Sequence, residues 1–196
     1  MNYPNKSKGN YKKTTSYANR GMDLEALINE SNKYYLETDE ALIYKKPTEI
    51  GINKVVYKPK LVIKDAYFKS PSTLDYNGIY KGKYIEFDAK ETSSKTSFPL
   101  SNIMSHQLKH IEKVIDHGGI CFLIIKINEQ LFLLPGNKVI EFINNYERKS
   151  IPYEYIKNNG YLLQYGYNPL IDYLKIVDIL EEGGLNNGSG KEKEEK

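Results

Sequence analysis

The spacing of hydrophobic residues changes several times along the chain of 196 residues. Over residues 22–37, Leu24, Leu27, Ile28, Ser31 and Tyr35 recur at helical steps, which predicts a helix N-capped near Asn19 or Asp23. Residues 41–69 switch to short strand-like runs: Ala41–Tyr44, Lys54–Tyr57 and Leu61–Phe68, punctuated by Pro47, Gly51 and Pro59. These runs have little to bury, so a protruding hairpin is expected. Leu74–Tyr80, the turn Lys81-Gly82-Lys83 and the stretch 84–91 predict a second hairpin. Its second strand reads Y-I-E-F-D-A-K-E: Ile85, Phe87 and Ala89 alternate with Glu86, Asp88 and Lys90. Acidic residues are poor strand formers, so that polar row needs a reason.

Residues 101–117 predict a helix with the stripe Met104, Leu108, Ile111 and Ile115, flanked by Ile103 and Val114 and ended by Gly118-Gly119. A buried strand, Ile120–Ile127, follows, then a tight Asn128-Glu129 turn and Leu131–Leu134. Residues 137–147 read as a helix carrying Val139, Ile140, Ile143 and Tyr146, and 152–158 as a short one. Residues 170–180 fit strand or helix equally. The order of helix, strands, helix, strand, strand, helix predicts an α/β domain with a mixed sheet.

Charge sharpens this picture. The formal charge is +3, but residues 1–20 hold Lys6, Lys8, Lys12, Lys13 and Arg20 with no acid. Residues 41–69 hold seven lysines against Glu49 and Asp65. Two basic patches point to a polyanionic partner, against the plainer reading of a solvated surface. The first 20 residues read as a flexible basic arm, and residues 181–196 as a disordered tail of Gly, Asn, Ser, Lys and Glu. A single cysteine, Cys121, lies in a core-strand pattern, so neither a disulfide nor a cysteine metal cage is expected. No run is long enough to span a bilayer and no signal-peptide pattern opens the chain, which fits a cytoplasmic protein. Eighteen tyrosines supply strand residues and stacking surfaces.

The second hairpin carries the candidate chemistry. Asp75 lies near its start and Asp88 near its end, so the two acids face each other across the strands at roughly 5 Å. Two carboxylates that close repel unless a cation sits between them. Mg²⁺ is the usual cation, held by one or two carboxylates and completed by water and phosphate oxygens. Thr73 shares a strand face with Asp75, and Lys90 shares one with Asp88. A lysine beside such a metal can neutralise charge on a phosphodiester under attack. Gln107 points to the flank of its helix that packs on the sheet, where it would meet a metal-bound water or Lys90; on the edge of the stripe it would meet solvent instead. His106, His110 and His117 lack the metalloprotease pattern, because position 107 is Gln, and are expected at the surface or facing DNA. Without further context, the acid pair also fits an edge hairpin whose charges block aggregation.

Several motifs in order carry a resemblance. N-R-G-M-D-L-E, N-K-Y-Y-L, K-K-P-T, K-D-A-Y-F, S-T-L-D-Y-N-G-I-Y-K-G-K-Y-I-E-F-D-A-K-E, K-T-S-F-P-L, S-H-Q-L-K-H and G-Y-N-P-L-I-D-Y span about residues 2–180. Together they resemble the RecU Holliday junction resolvases of bacteria. The resemblance implies a restriction-endonuclease-like fold, the PD-(D/E)XK core, in a homodimer that nicks four-way DNA junctions with Mg²⁺, or with Mn²⁺ in its place. It implies a metal site of Thr73, Asp75, Asp88 and Gln107, a transition-state-stabilising Lys90, and a stalk over residues 41–72 that enters the junction centre. It also links the chain, more weakly, to RecA modulation and branch-migration proteins. One departure stands out: relatives read acid-Phe-Glu-Ala-Lys where this chain has Glu86-Phe87-Asp88-Ala89-Lys90. The ligand at 88 is one methylene shorter, which bears on metal preference and rate, and leaves Glu86 as a helper or a substitute ligand.

The expectation is therefore a junction-resolving endonuclease of recombination and repair. Asp75, Asp88 and Lys90 are its catalytic residues. Arg20, Lys45, Lys46, Lys54, Lys58, Lys60 and Lys64 contact DNA, and Tyr57, Tyr67 and Phe68 stack on bases, with core packing the other reading for Phe68. The rivals are a non-catalytic structured-DNA-binding or RecA-modulating protein and a nuclease for ordinary duplex or flaps.

Overall fold

A computed structural model describes residues 23–69 and 73–186. Arg20 with the rest of the basic arm, the tail from residue 187, and the side chain of Phe68 lie outside what is described. In chain order the elements are α1 (Leu24–Glu37), β1 (Leu42–Lys45), β2 (Ile50–Lys58), β3 (Lys60–Phe68), β4 (Tyr76–Tyr80), β5 (Lys83–Glu91), β6 (Ser97–Pro99), α2 (Ser105–Asp116), β7 (Ile120–Ile127), β8 (Gln130–Pro135), α3 (Gly136–Asn145), β9 (Ser150–Pro152), α4 (Tyr153–Asn159), β10 (Tyr161–Leu163) and α5 (Leu174–Asn186).

Six strands make the central sheet in the order β1-β4-β5-β7-β8-β10. β5 and β7 run parallel and the other neighbours antiparallel, so the sheet is mixed. The two hairpins close on turns whose central residues both have positive φ: Lys81 (48°) with Gly82 (77°), and Asn128 (49°) with Glu129 (60°). That left-handed pair matches the twist of the flanking strands.

Helices cover both faces of the sheet. On one face α1 and α5 pack on Ile85, Phe87, Phe122, Ile124, Leu131 and Leu133. There the rings of Tyr76, Phe87 and Phe122 stack in series, at 4.8 and 4.7 Å between centroids. On the other face α2, α3 and α4 pack on Cys121, Leu123, Ile125, Phe132 and Leu134. Glu86 pairs in register with Cys121 and Asp88 with Leu123. The acidic row of β5 therefore points beneath α2, into the interior.

Four expectations change. Leu42–Lys45 is an edge strand of the central sheet, because Ala41 and Ile43 bury against the core while Leu42 and Tyr44 stay exposed. The free ribbon is thus β2–β3, shorter than the expected stalk of 41–72. The buried face of α2 is Gln107, Ile111 and Val114, with Ile103 just ahead, while Met104 is exposed. The stripe is rotated because α2 must offer a polar side chain to the acids below it. Residues 174–180 are helical, and α5 continues to Asn186, so 181–186 belong to the helix rather than the tail. Buried Leu174 and Val177, three apart, fix that period. The short strands β6, β9 and β10 were not expected; three residues each carry too little period to be read.

Phe87 is fully buried at the centre of the ring stack. Phe87→Ala is predicted to cost about 3–5 kcal/mol, measurable by denaturant unfolding of the metal-free protein.

Candidate active site

The β4–β5 register pairs Tyr76 with Phe87 and Asn77 with Glu86. One step further along, Asp75 falls opposite Asp88. Asp75 sits just ahead of β4, and its carbonyl accepts the Lys46 N–H at 2.7 Å. Asp88 is fully buried. Its Oδ1 accepts the Ala89 N–H at 2.8 Å; its Oδ2 accepts Gln107 Nε2 at 2.9 Å and lies 2.8 Å from Lys90 Nζ. Burial pushes the Asp88 carboxyl up to about 6; Lys90 pulls it down and the Asp75 carboxyl beside it pushes it up again. The structure brings Asp75, Asp88 and Lys90 together as the pattern predicts.

This donor set fits a hard divalent cation. A carboxylate held above its ordinary range by burial, with a second carboxylate beside it adding to the effect, is a group that a cation would relieve. Two of the expected ligands face differently. Gln107 Oε1 accepts the Met104 N–H at 3.1 Å, closing the N-terminus of α2, while its Nε2 donates to Asp88 and to the Thr73 carbonyl at 2.9 Å. The amide thus turns nitrogen, not oxygen, toward the acids. Ligation through Oε1 would break the bond to Met104. The Thr73 hydroxyl points to Glu86 and Lys46, leaving the Thr73 carbonyl as its donor nearer the acids. Asp75 and Asp88 are therefore the two carboxylates that face each other here, and Gln107 Nε2 holds Asp88 by a hydrogen bond.

Glu86, the unassigned acid, is also fully buried. Its Oε1 accepts the Lys46 ammonium and the Thr73 hydroxyl (3.2 Å); its Oε2 accepts the Tyr84 hydroxyl (2.7 Å). His110 Nε2 lies 2.9 Å from Oε2, without the alignment of a hydrogen bond. Burial alone would raise the Glu86 carboxyl; Lys46, His110 and Tyr84 outweigh it and hold the group below its ordinary value. Tyr84 and His110 were missed as partners. The signal was available: Tyr84 lies two residues from Glu86 on one strand face.

The expected DNA contacts divide. Lys54, Lys58, Lys60 and Lys64 are exposed on the ribbon, with Tyr57 and Leu61 at 75% and 72% exposure near its tip. Lys45 pairs with Glu25, and Lys46 is committed to Glu86 and Thr73. The histidines of α2, expected at the surface or facing DNA, are joined by two lysines that sequence reasoning did not single out. His106, Lys109, His110, Lys113 and His117 fall within about 100° of arc at 3.6 residues per turn. A cleft of about 470 Å³ is lined by Thr73, His106, Lys109, His110 and Lys113, so this face borders the acid site. Among the described residues no carboxylate pairs with Lys109 or Lys113.

The sheet is mixed, with facing acids at Asp75 and Asp88 and a lysine two residues on. The family model described as Recombination protein U matches residues 19–179. A protein of Bacillus cereus (strain B4264) named Holliday junction resolvase RecU is 50% identical over 175 residues, covering 86% of this chain and 88% of its own. One of the same name from Oceanobacillus iheyensis is 48% identical over 197 residues, covering 92% and 99%. The chain belongs to the RecU family. A solved structure of Archaeoglobus fulgidus Hjc, a Holliday junction resolvase, overlaps 69% of this chain and 94% of its own at TM-score 0.40 and 8% identity, too loosely to bear on the chemistry.

The Asp88 carboxyl sits above its unfolded value, so the unfolded chain loses that proton first. The metal-free protein should lose stability between about pH 4 and pH 6, by at most about 3 kcal/mol from this group. Asp88→Asn should then melt higher than wild type at pH 8 without metal, read by calorimetry; a lower melting temperature would contradict the strained acid.

Proposed function

We propose that this protein is a divalent-metal-dependent endonuclease that resolves four-way DNA junctions by paired nicks, in recombination and repair. The observation that carries the reading is the buried Asp88 facing Asp75, with the Lys90 ammonium 2.8 Å from Asp88. That intact grouping favours hydrolysis over a purely DNA-binding role.

Asp75 and Asp88 would hold the ion, Mg²⁺ in the first instance with Mn²⁺ as substitute. When bound, it supplies Lewis acidity and lowers the pKa of water. Gln107 and the Ala89 N–H keep the Asp88 carboxylate turned to the site. The Lys90 side chain is one-fifth exposed, so its ammonium can bear on both Asp88 and an incoming phosphate. There it would offset the charge that gathers on the phosphoryl oxygens during attack. The shorter Asp88 leaves the metal-holding function in place and shifts its reach.

A four-way junction presents two equivalent phosphates. Two equivalent sites are needed to nick them symmetrically, and a two-fold dimer supplies them. The ribbon, with exposed lysines and aromatic rings, suits the open centre of such a junction. The basic face of α2 suits the phosphates next to the one being cut. The cytoplasm, where the DNA is, is the compartment of this reading. RecA and branch-migration proteins are the protein partners that it carries from the family resemblance. No helix among the described residues is long and apolar enough to cross a membrane.

Nicking of a synthetic four-way junction with Mg²⁺ or Mn²⁺ tests the reading. Asp75→Asn should abolish nicking and leave junction affinity intact. Equal nicking by both proteins removes the site; equal cutting of linear duplex and junction removes the resolvase label. Lys109→Ala with Lys113→Ala should weaken junction binding and lower the slope of log K against log salt by about 2, near 0.9 per lost phosphate contact.

A further inference from the structure

Glu86 has no place in the metal-holding pair, yet it is fully buried and takes three hydrogen bonds from three side chains. Burying a carboxylate is costly, and removing one partner of a buried ion pair costs far more than the pair itself is worth. Such an arrangement holds its members in one geometry. The identity of those members shows what is being held.

Lys46 follows the last residue of β1, where the chain leaves the central sheet for the ribbon. Its backbone N–H bonds the Asp75 carbonyl at 2.7 Å. Its ammonium bonds Glu86 and also the Thr73 hydroxyl, at 2.8 Å. Thr73 lies on the return side of the ribbon, two residues before Asp75. One lysine therefore joins the outgoing chain to the returning chain, and its two ends grip the segment that presents Asp75. A second tie, the Lys69 N–H on the Glu49 carbonyl at 3.1 Å, closes the ribbon base just beyond. Glu86 anchors this clasp to β5, on the strand face that bears Asp88 two residues on. The Tyr84 hydroxyl adds a third donor from β5, and the His110 ring of α2 lies against the same carboxylate.

We infer that Glu86 and Lys46 form a clasp that couples the ribbon to the acid pair, and that both are positioning residues rather than metal ligands or phosphate contacts. Displacement of the ribbon base by a bound junction is passed to Asp75 through Lys46, while Glu86 keeps the movement in register with Asp88. This rests on the nuclease reading for its consequence in rate, and on the structure alone for the clasp itself.

Lys46→Met keeps the length of the stem and removes the charge. It should slow nicking at saturating junction and metal by about a hundredfold, the scale of a misplaced catalytic group. Junction affinity measured without metal should change less than about twofold, because Lys46 is not a phosphate contact and contributes no counterion release. The ribbon pair Lys58→Ala with Lys60→Ala should do the reverse, weakening affinity and sparing the saturating rate. Lys46→Met with Glu86→Gln leaves no unpaired buried charge, so it should fold even if the single variants do not, and it should be no slower than either. A Lys46→Met protein that binds junction weakly and nicks normally once saturated would overturn the clasp, as would additive losses in the double variant. A further arm does not depend on nuclease activity: hydrogen exchange at the Lys46 amide should speed by about tenfold or more in Glu86→Gln, as local opening becomes easier. Unchanged exchange there would overturn the clasp whether or not the protein cuts junctions. A wild type that cuts no junction while this exchange effect holds would instead overturn the nuclease reading.

Discussion

Two buried carboxylates on one face of one strand govern this structure. Glu86 and Asp88 point beneath α2 from the middle of the sheet, where water cannot reach them. Every neighbouring polar choice follows from that. Lys46, Thr73, Tyr84 and His110 surround the first acid; Lys90, Gln107 and the Ala89 amide surround the second. The apolar side of the same strand, Ile85 and Phe87, anchors β5 between α1 and α5 so that the acids cannot turn outward. The two acids end in opposite states. The donors around Glu86 outweigh its burial and hold it below its ordinary value, while burial, with the carboxylate of Asp75 beside it, holds Asp88 above its own.

Much of this was legible along the chain. Strict alternation over 84–91 gave β5, and the Lys81-Gly82 turn set the register that brings Asp75 opposite Asp88. Ile120–Ile125, apolar throughout, reads as a strand covered on both faces, as it is. Other features depended on what lies across space. On α2 the stripe Met104, Leu108, Ile111 and Ile115 misplaces the buried face, which runs through Gln107, Ile111 and Val114; Gln107 lies on the inward flank, as its spacing implies. Lys46 read as a surface cation next to Lys45; only the fold places Glu86, forty residues on, within its reach. Ala41–Tyr44 reads as a run of the protruding hairpin, and its pairing with β4 makes it the edge of the sheet instead. The basic face of α2 needed only a helical wheel, and the apolar stripe drew attention away from it.

The ribbon and the site are built differently. The ribbon exposes apolar side chains with no core of its own, a surface that suits a partner rather than a solvent face. The site is rigid, buried and cross-bonded from four elements. Lys46 stands at the boundary between them, bonded to Asp75 through its backbone and to Glu86 through its ammonium.

The central claim is that the two buried acids have separate tasks, Asp88 to hold the ion and Glu86 to hold the frame. Calorimetric titration of Mn²⁺ into the wild type, Asp88→Asn and Glu86→Gln at pH 8 tests it most directly. The account predicts that Asp88→Asn loses the binding event and that Glu86→Gln retains its stoichiometry with weakened affinity. Loss of the event in Glu86→Gln, with Asp88→Asn binding as wild type, would contradict it.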